Sequence, residues 1–173
     1  MSKRTPNPSF SKRILSTRFI TNAGLIAALY VVLTLVAQAL GLASGAIQVR
    51  LSEALTILPC FTPTGIPGLT IGCLLANLVT GCAPLDVALG TVATLIGAVG
   101  THLLRKKPLL AWIPPVLANA LIVPYVLIKA YGVEDAYWYL ALTVGAGEVI
   151  ACGILGLLLY KALSRVKNLN AWI

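Results

Sequence analysis

Four polar side chains interrupt apolar segments of this sequence and are the first candidates for chemistry: Glu53, Asn77, Asn119 and Glu148. A carboxylate accepts two parallel N–H bonds, whereas a carboxamide both donates and accepts. In lipid each such group needs a partner, because hydrocarbon offers none. The set predicts one polar pocket that binds a small ligand. The alternative is hydrogen bonding between helices, worth about 0.6–2 kcal/mol per asparagine, and for Asn77 the two interpretations are equally supported.

Glu148 is the most informative of the four because of its depth in the sixth apolar segment. That segment is bordered by Trp138 and Tyr160, aromatic residues typical of a membrane interface. The ten residues from Trp138 to Glu148 span about 15 Å of helix, half of a hydrocarbon core of roughly 30 Å. A carboxyl group there costs a few kcal/mol on insertion scales. We expect Glu148 to face protein or a water-filled cavity and to mark a functional site.

The composition predicts an all-α integral membrane protein. The 173 residues are 58% hydrophobic and only 10% charged, against about 25% charged in a soluble domain. At about 20 residues per span, this length allows about six helices. We expect a basic cytoplasmic segment at 1–19, a six-helix transmembrane substrate-binding domain at 20–164 and a basic cytoplasmic tail at 165–173. The second apolar segment, Leu51 to Phe61, is expected to be short, tilted or partly re-entrant.

The basic residues predict the orientation. With both termini in the cytoplasm, two of the 13 basic residues, Arg50 and Lys129, fall outside. The other eleven fall inside: Lys3, Arg4, Lys12, Arg13, Arg18, Arg105, Lys106, Lys107, Lys161, Arg165 and Lys167. This bias follows the positive-inside rule. The acids lie at the outer ends of spans or in outer loops, or are reached from that side, which predicts a polar cavity open to the outside above Glu148.

Further candidates border this predicted cavity. Arg50 and Glu53 are three residues apart and could pair on one helix face; alternatively, Arg50 or Gln48 closes over a bound ligand. Tyr137 and Trp138 belong to an aromatic cluster at the outer interface. An aromatic belt explains most of that cluster, and stacking of one or two rings on a planar ligand is the functional alternative.

Enzyme chemistry is not indicated. The single histidine, His102, lies beside the Arg105–Lys107 basic cluster, far from Glu148, and no Ser–His pair or phosphate-binding glycine loop occurs. The four cysteines form no CxxC motif and are interpreted as small buried hydrophobes. We predict no catalytic residue, no metal ligand and no cofactor bound by this chain. Transport would have to draw its energy from an ion gradient or from a partner.

Three stretches carry a resemblance to a known family: IQVRLSEALTILPCFTPTGIPGLTIGCLLANLVTG (Ile47 to Gly81), PPVLANALIVP (Pro114 to Pro124) and ALTVGAGEVIACGILG (Ala141 to Gly156). Together they resemble the QueT family of S components, the substrate-binding membrane subunits of energy-coupling factor (ECF) transporters, which are ABC importers. The resemblance covers about Asn22 to Leu159. It implies the six-helix S-component fold and uptake of queuosine precursors, which are deazaguanine bases.

The resemblance also implies partners. These are a transmembrane T subunit, which would dock on Ala23 and Ala27 of the first helix, and two cytosolic ATPases that use ATP and Mg²⁺. It places the chain in the cell membrane of a prokaryote, with the lipid bilayer and a small deazaguanine ligand as its other partners and no nucleic acid.

The implied ligand suits the candidate residues. A guanine-like edge presents adjacent N–H donors to a carboxylate, so Glu148 or Glu53 would bind the base edge, with Asn119 and Asn77 assisting. A stand-alone secondary transporter with Glu148 as its proton-coupling site is the main alternative. An intramembrane enzyme would need a second catalytic group at depth, and a non-transporting scaffold would leave the polar pocket unexplained.

Overall fold

The computed structural model describes residues 17–42 and 48–166, and every regular element in these ranges is helical. The five main helices are α1 (Thr17–Ala39), α2 (Gly65–Val79), α3 (Pro84–Leu103), α4 (Ile113–Tyr131) and α5 (Tyr137–Ser164). A 3₁₀ helix, Leu51–Cys60, lies between α1 and α2, and a short 3₁₀ turn, Pro108–Leu110, leads into α4. The middle of α5, Val149–Leu155, is wound as a π-helix.

Four of these elements are long and apolar enough to cross a membrane: Thr17–Ala39, Pro84–Leu103, Pro108–Tyr131 and Tyr137–Ser164. Two apolar helices, Leu51–Cys60 and Gly65–Val79, are shorter. The prediction of an all-helical, multi-pass membrane protein is therefore confirmed. Six crossings and the orientation stay predictions. Most of the predicted terminal segments lies outside the described residues, and so do five of the basic residues used for the orientation: Lys3, Arg4, Lys12, Arg13 and Lys167.

The 3₁₀ helix is the element that brings polar groups into the centre of the bundle. It packs against α1, α3 and α5. Its buried residues include Ser52, Glu53 and Thr56 as well as apolar side chains. Runs of 3₁₀ helix longer than three or four residues are uncommon and often mark a functional or strained segment. The predicted short second segment is thus an internal helix whose polar residues contact the rest of the bundle.

Close packing between α1 and α2 depends on small residues. A Cβ atom on Gly68 would lie 2.9 Å from the carbonyl oxygen of Ala23, and one on Gly72 would lie 3.1 Å from Cα of Ala27. Ala23 and Ala27 are only 7% and 5% exposed. The alanine pair that the resemblance assigned to T-subunit docking is therefore covered by α2 in this structure, whereas the adjacent Gly24 faces open space.

Candidate ligand-binding site

Two buried carboxylates meet in the interior of the bundle. Glu53 comes from the 3₁₀ helix and Glu148 from α5, at the last residue before its π-helical part. Glu53 is 0% exposed and Glu148 is 3% exposed. One carboxylate oxygen of each residue and the Cys152 sulfur all lie within 4.8 Å of one another. We call Glu53 and Glu148 the deep carboxylate pair. The prediction that Glu148 faces protein rather than lipid is confirmed, because almost none of its surface is exposed.

Side chains from α1, α5 and the 3₁₀ helix hold the deep carboxylate pair in position. The Tyr30 hydroxyl on α1 donates to Oε1 of Glu53. The Cys152 thiol, one turn beyond Glu148 on α5, donates to Glu148 Oε2 at 3.3 Å. Thr56 donates to the Glu53 carbonyl at 2.6 Å and lies 3.4 Å from the Cys152 sulfur. The hydrogen-bond partner of the Glu53 carboxylate is thus Tyr30, which the sequence did not single out, whereas Arg50 interacts with Glu53 electrostatically.

Part of the hydrogen-bonding capacity beside this pair is unused in the described part of the chain. Oε2 of Glu53 is buried and has no partner. Asn119 of α4 is 0% exposed and lies close enough to Glu148 to interact with it, but neither of its amide atoms makes a hydrogen bond of ordinary geometry. Leaving a buried polar group unsatisfied costs about 1–3 kcal/mol. The arrangement therefore has one free carboxylate acceptor and a free amide donor and acceptor available to a ligand.

A cavity of about 380 Å³ opens at the end of the bundle where α1 and α4 finish and α3 begins. We call it the end cavity. Its volume lies within the range of about 300–1,000 Å³ that is common for small-molecule sites. Its lining combines apolar residues with a polar set: Thr34, Gln38, Gln48, Arg50, Ser52, Asn77, Thr80, Asp86 and Tyr131. Ser52 lines the end cavity and directly precedes Glu53, so the cavity lies next to the deep carboxylate pair.

Asp86 and Tyr131 form the main hydrogen-bonded contact in the end cavity. Pro84 starts α3 and places Asp86 in its first turn, while Gly132, at φ 66°, ends α4 just after Tyr131. The Tyr131 hydroxyl donates to Asp86 Oδ2 at 2.8 Å and accepts from the Ala83 N–H at 3.1 Å. Asp86 was identified only as an acid at an outer helix end. Its position in an apolar segment was the signal that could have added it to the site.

Asn77 lies with Asp86 rather than with the deep carboxylate pair. Its Nδ2 atom is 3.5 Å from the Asp86 carbonyl oxygen and 3.7 Å from the Cys73 sulfur. Both contacts are long for hydrogen bonds. The four polar residues predicted to share one pocket are thus divided, with Glu53, Asn119 and Glu148 together and Asn77 apart from them in the end cavity.

The segment 48–50 runs between the two regions. It has no regular secondary structure, Arg50 is extended, and the carbonyl oxygen of Gln48 lies directly against Gly147, where there is no room for a Cβ atom. Gln48 and Arg50 line the end cavity. The Arg50 guanidinium is close enough to interact electrostatically with Glu53, Asp86 and Glu148. This segment therefore covers α5 next to Glu148 and carries a positive charge between the acids.

Tyr137 and Trp138 lie away from the end cavity. The Tyr137 hydroxyl donates to the Leu121 carbonyl at 2.6 Å, and its ring packs edge-to-face with Trp138 at 5.2 Å between centroids. Trp138 is 72% exposed. Trp138 thus lies on the surface of the bundle with the partly buried Tyr137 beside it, an arrangement that fits an aromatic belt.

A polar interior inside an apolar helical bundle, next to an open polar cavity, is the arrangement of a helical membrane protein that binds a small molecule. A family model described as QueT transporter matches residues 20–165, and the chain belongs to that family. The chain is also 35% identical over 77 residues to the "Queuosine precursor transporter QueT" of Lactococcus lactis subsp. cremoris (strain MG1363). That alignment covers 44% of this chain and 45%, or just under half, of the relative. No solved structure shows a significant match.

Proposed function

We propose that this chain is the substrate-binding S component of an ECF-type importer and that it captures a queuosine precursor, a deazaguanine base. Its membership of the QueT transporter family supports this class of ligand, as does its similarity to the Lactococcus protein named as a queuosine precursor transporter. The end cavity is large enough for a single heterocycle of this kind. The chain would supply recognition, while a T subunit and two ATPases would supply the ATP-driven step.

The observation that carries the proposal is the unused hydrogen-bonding capacity beside the deep carboxylate pair. The adjacent N–H groups of a guanine-like edge would donate to Glu148 or to the free Oε2 atom of Glu53. The free amide of Asn119 would pair with a carbonyl or ring nitrogen of the same base. A buried acceptor without a partner favours ligands that bring donors over ligands that do not.

Access to this site requires movement of the 48–50 segment. The deep carboxylate pair is almost fully buried, whereas Gln48 and Arg50 line the cavity next to it. A base entering the end cavity would displace Gln48 from Gly147, and Gln48 and Arg50 would then close over the bound ligand. In the proposed topology of six crossings, with both termini in the cytoplasm of a prokaryote, this cavity opens to the outside.

Calorimetry on the purified chain tests ligand recognition. The protein in detergent is titrated with a deazaguanine base and with adenine, whose edge differs in its pattern of donors and acceptors. We expect saturable binding of the deazaguanine base and at least 100-fold weaker binding of adenine. Equal binding of both bases, or binding of neither, would contradict the assignment.

A second candidate function rests on the closeness of the two carboxylates. Two buried acids within 4.8 Å disfavour double ionisation and tend to share a proton. Intramembrane acids with this property serve as proton relays in carriers. Uptake by proteoliposomes that contain only this chain, driven by a proton gradient, would support a stand-alone carrier. Co-purification with a T subunit and ATPases, together with uptake that requires ATP, would support the S component.

A further inference from the structure

We propose that Asp86 forms a separate subsite for a primary ammonium group on the ligand. The inference rests on the proposed function and adds a preference within it, namely for a deazaguanine base that carries an aminomethyl group over one with a neutral substituent. The deep carboxylate pair would then recognise the base, and Asp86 would recognise its cationic side arm.

The first argument is the state of the Asp86 carboxylate. Asp86 lines the end cavity but is only 6% exposed. A carboxylate offers about four acceptor positions, and the described contacts use one of them, through the Tyr131 hydroxyl at 2.8 Å. Oδ1 is buried and has no partner in the described part of the chain. A buried, incompletely bonded carboxylate is stabilised by a cation that donates hydrogen bonds to it.

The second argument is that a glycine lets this carboxylate lie beside Asn77 in the wall of the end cavity. A Cβ atom on Gly90 would lie 3.2 Å from Asp86 Oδ1 and 3.0 Å from Asn77 Nδ2. Glycine at this position therefore lets Asp86 Oδ1 and Asn77 Nδ2 lie closer to α3 than a larger residue would allow, and both of these residues line the end cavity. An ammonium group has three donors and a short stem, so it could contact Asp86 and the Tyr131 oxygen together.

Two other roles for Asp86 have to be distinguished from this one. An acid in the first turn of a helix stabilises the helix by interacting with its dipole, but that effect does not require the acid to be buried. Arg50 lines the same cavity and interacts electrostatically with Asp86, so an Arg50–Asp86 pair could instead close the cavity over any ligand. The ammonium subsite predicts an effect that depends on ligand charge, whereas the other two roles predict an effect that is the same for all ligands.

The test compares two deazaguanine bases that differ in one substituent, an aminomethyl group or a neutral nitrile, by calorimetry at pH 7. We expect the wild-type chain to bind the aminomethyl base at least tenfold more tightly. Asp86→Asn should weaken binding of the aminomethyl base by roughly 10- to 100-fold and that of the nitrile base by less than threefold. Glu134→Gln, which removes an exposed acid from the loop before α5, is the matched charge control and should change neither affinity.

The other outcomes of this comparison would each count against the ammonium subsite. Equal losses for the two bases in Asp86→Asn, or no loss, would overturn the ammonium subsite while leaving the proposed function intact. Absence of binding of either base to the wild-type chain would overturn both. If Asp86→Asn does not fold, Tyr131→Phe provides a second variant, since it removes a donor to Asp86 and keeps the charge. The preference for the aminomethyl base should be reduced but kept in Tyr131→Phe, because Asp86 retains its charge, and its complete loss there, or its absence in the wild-type chain, would overturn the subsite.

Discussion

The deep carboxylate pair and the end cavity both contain buried acids, but they differ in how those acids are held. Glu53 and Glu148 are fixed by Tyr30, Thr56 and Cys152, which come from three different elements. In the end cavity, Asp86 has one side-chain partner, Tyr131, at the end of a helix and 47% exposed.

This difference indicates that the deep carboxylate pair recognises the ligand, whereas the end cavity admits it. Rigid, enclosed acceptors discriminate between ligands because a mismatched group leaves them unpaired. Groups at helix ends and next to loops can move to admit a ligand. We therefore expect substitutions in the deep region to change affinity or stability most, and substitutions at the outer surface to change them least.

The largest effect is expected for Glu148→Gln. The amide directs an N–H group where the base presents its own donors, and losing a charge-assisted hydrogen bond costs about 1.5–3 kcal/mol. Affinity for the deazaguanine base should fall about 100-fold by calorimetry. The thermal midpoint in detergent should stay near that of the wild-type chain. Unchanged affinity would remove Glu148 from the site and make its role purely structural.

A smaller loss of affinity is expected when the contact between the 48–50 segment and α5 is disturbed. Gly147→Ala places a methyl group on the Gln48 carbonyl oxygen, so the backbone of the segment must shift. We expect about tenfold weaker binding, measured as faster ligand dissociation, and a stability cost of about 1–3 kcal/mol. Gly145→Ala is the matched control, since its methyl would meet Ala120 at an ordinary 3.6 Å. Equal behaviour of the two variants would argue against a covering role for the segment.

Tyr30→Phe tests the deep region without touching the end cavity. The substitution removes the hydroxyl that donates to Glu53 and leaves that carboxylate without its side-chain partner. Thermal unfolding in detergent should show a loss of about 1–3 kcal/mol, and affinity should fall only a few-fold because Glu148 and Asn119 are intact. Tyr125→Phe, at a tyrosine that is 49% exposed, provides the control. If Tyr30→Phe leaves the stability unchanged, Glu53 needs no hydrogen-bond partner from α1.

The smallest effect is expected for Trp138→Ala. The indole is 72% exposed and packs on Tyr137, away from the end cavity. Affinity for the base should change less than twofold in calorimetry. A tenfold loss would instead support stacking of this ring on the ligand and would place part of the site outside the end cavity.

Some of the site could be predicted from the chain alone. The depth of Glu148 followed from its place in an apolar run bordered by aromatic residues, and its burial followed from the cost of a carboxyl group in lipid. Asn119 was expected at a similar depth because it lies about ten residues into the fifth apolar segment. Spacing alone would also have placed Cys152 next to Glu148, four residues away on one helix face.

The partners of these residues could not be predicted in the same way. Glu53 was expected at the outer end of a span, but the internal 3₁₀ helix brings it against Glu148. Tyr30 is one of several hydroxyl-bearing residues in an apolar helix, so its type and position gave no separate signal. Asn77 was grouped with Glu148, yet it lies beside Asp86. In each case the contact joins elements that are distant in the sequence or that pack independently of each other. Local sequence patterns do not determine which of these elements meet.

By itself, the amino-acid sequence determined that the chain is helical, that it belongs in a membrane and that Glu148 must be shielded from lipid. These properties follow from the transfer cost of apolar and charged groups, which acts on each residue separately. The tertiary structure decided which groups share the interior: Tyr30 with Glu53, Glu53 with Glu148, and Asp86 with Tyr131. The reason is that burial requires a polar group to find a partner but leaves the choice of partner to the packing of the helices.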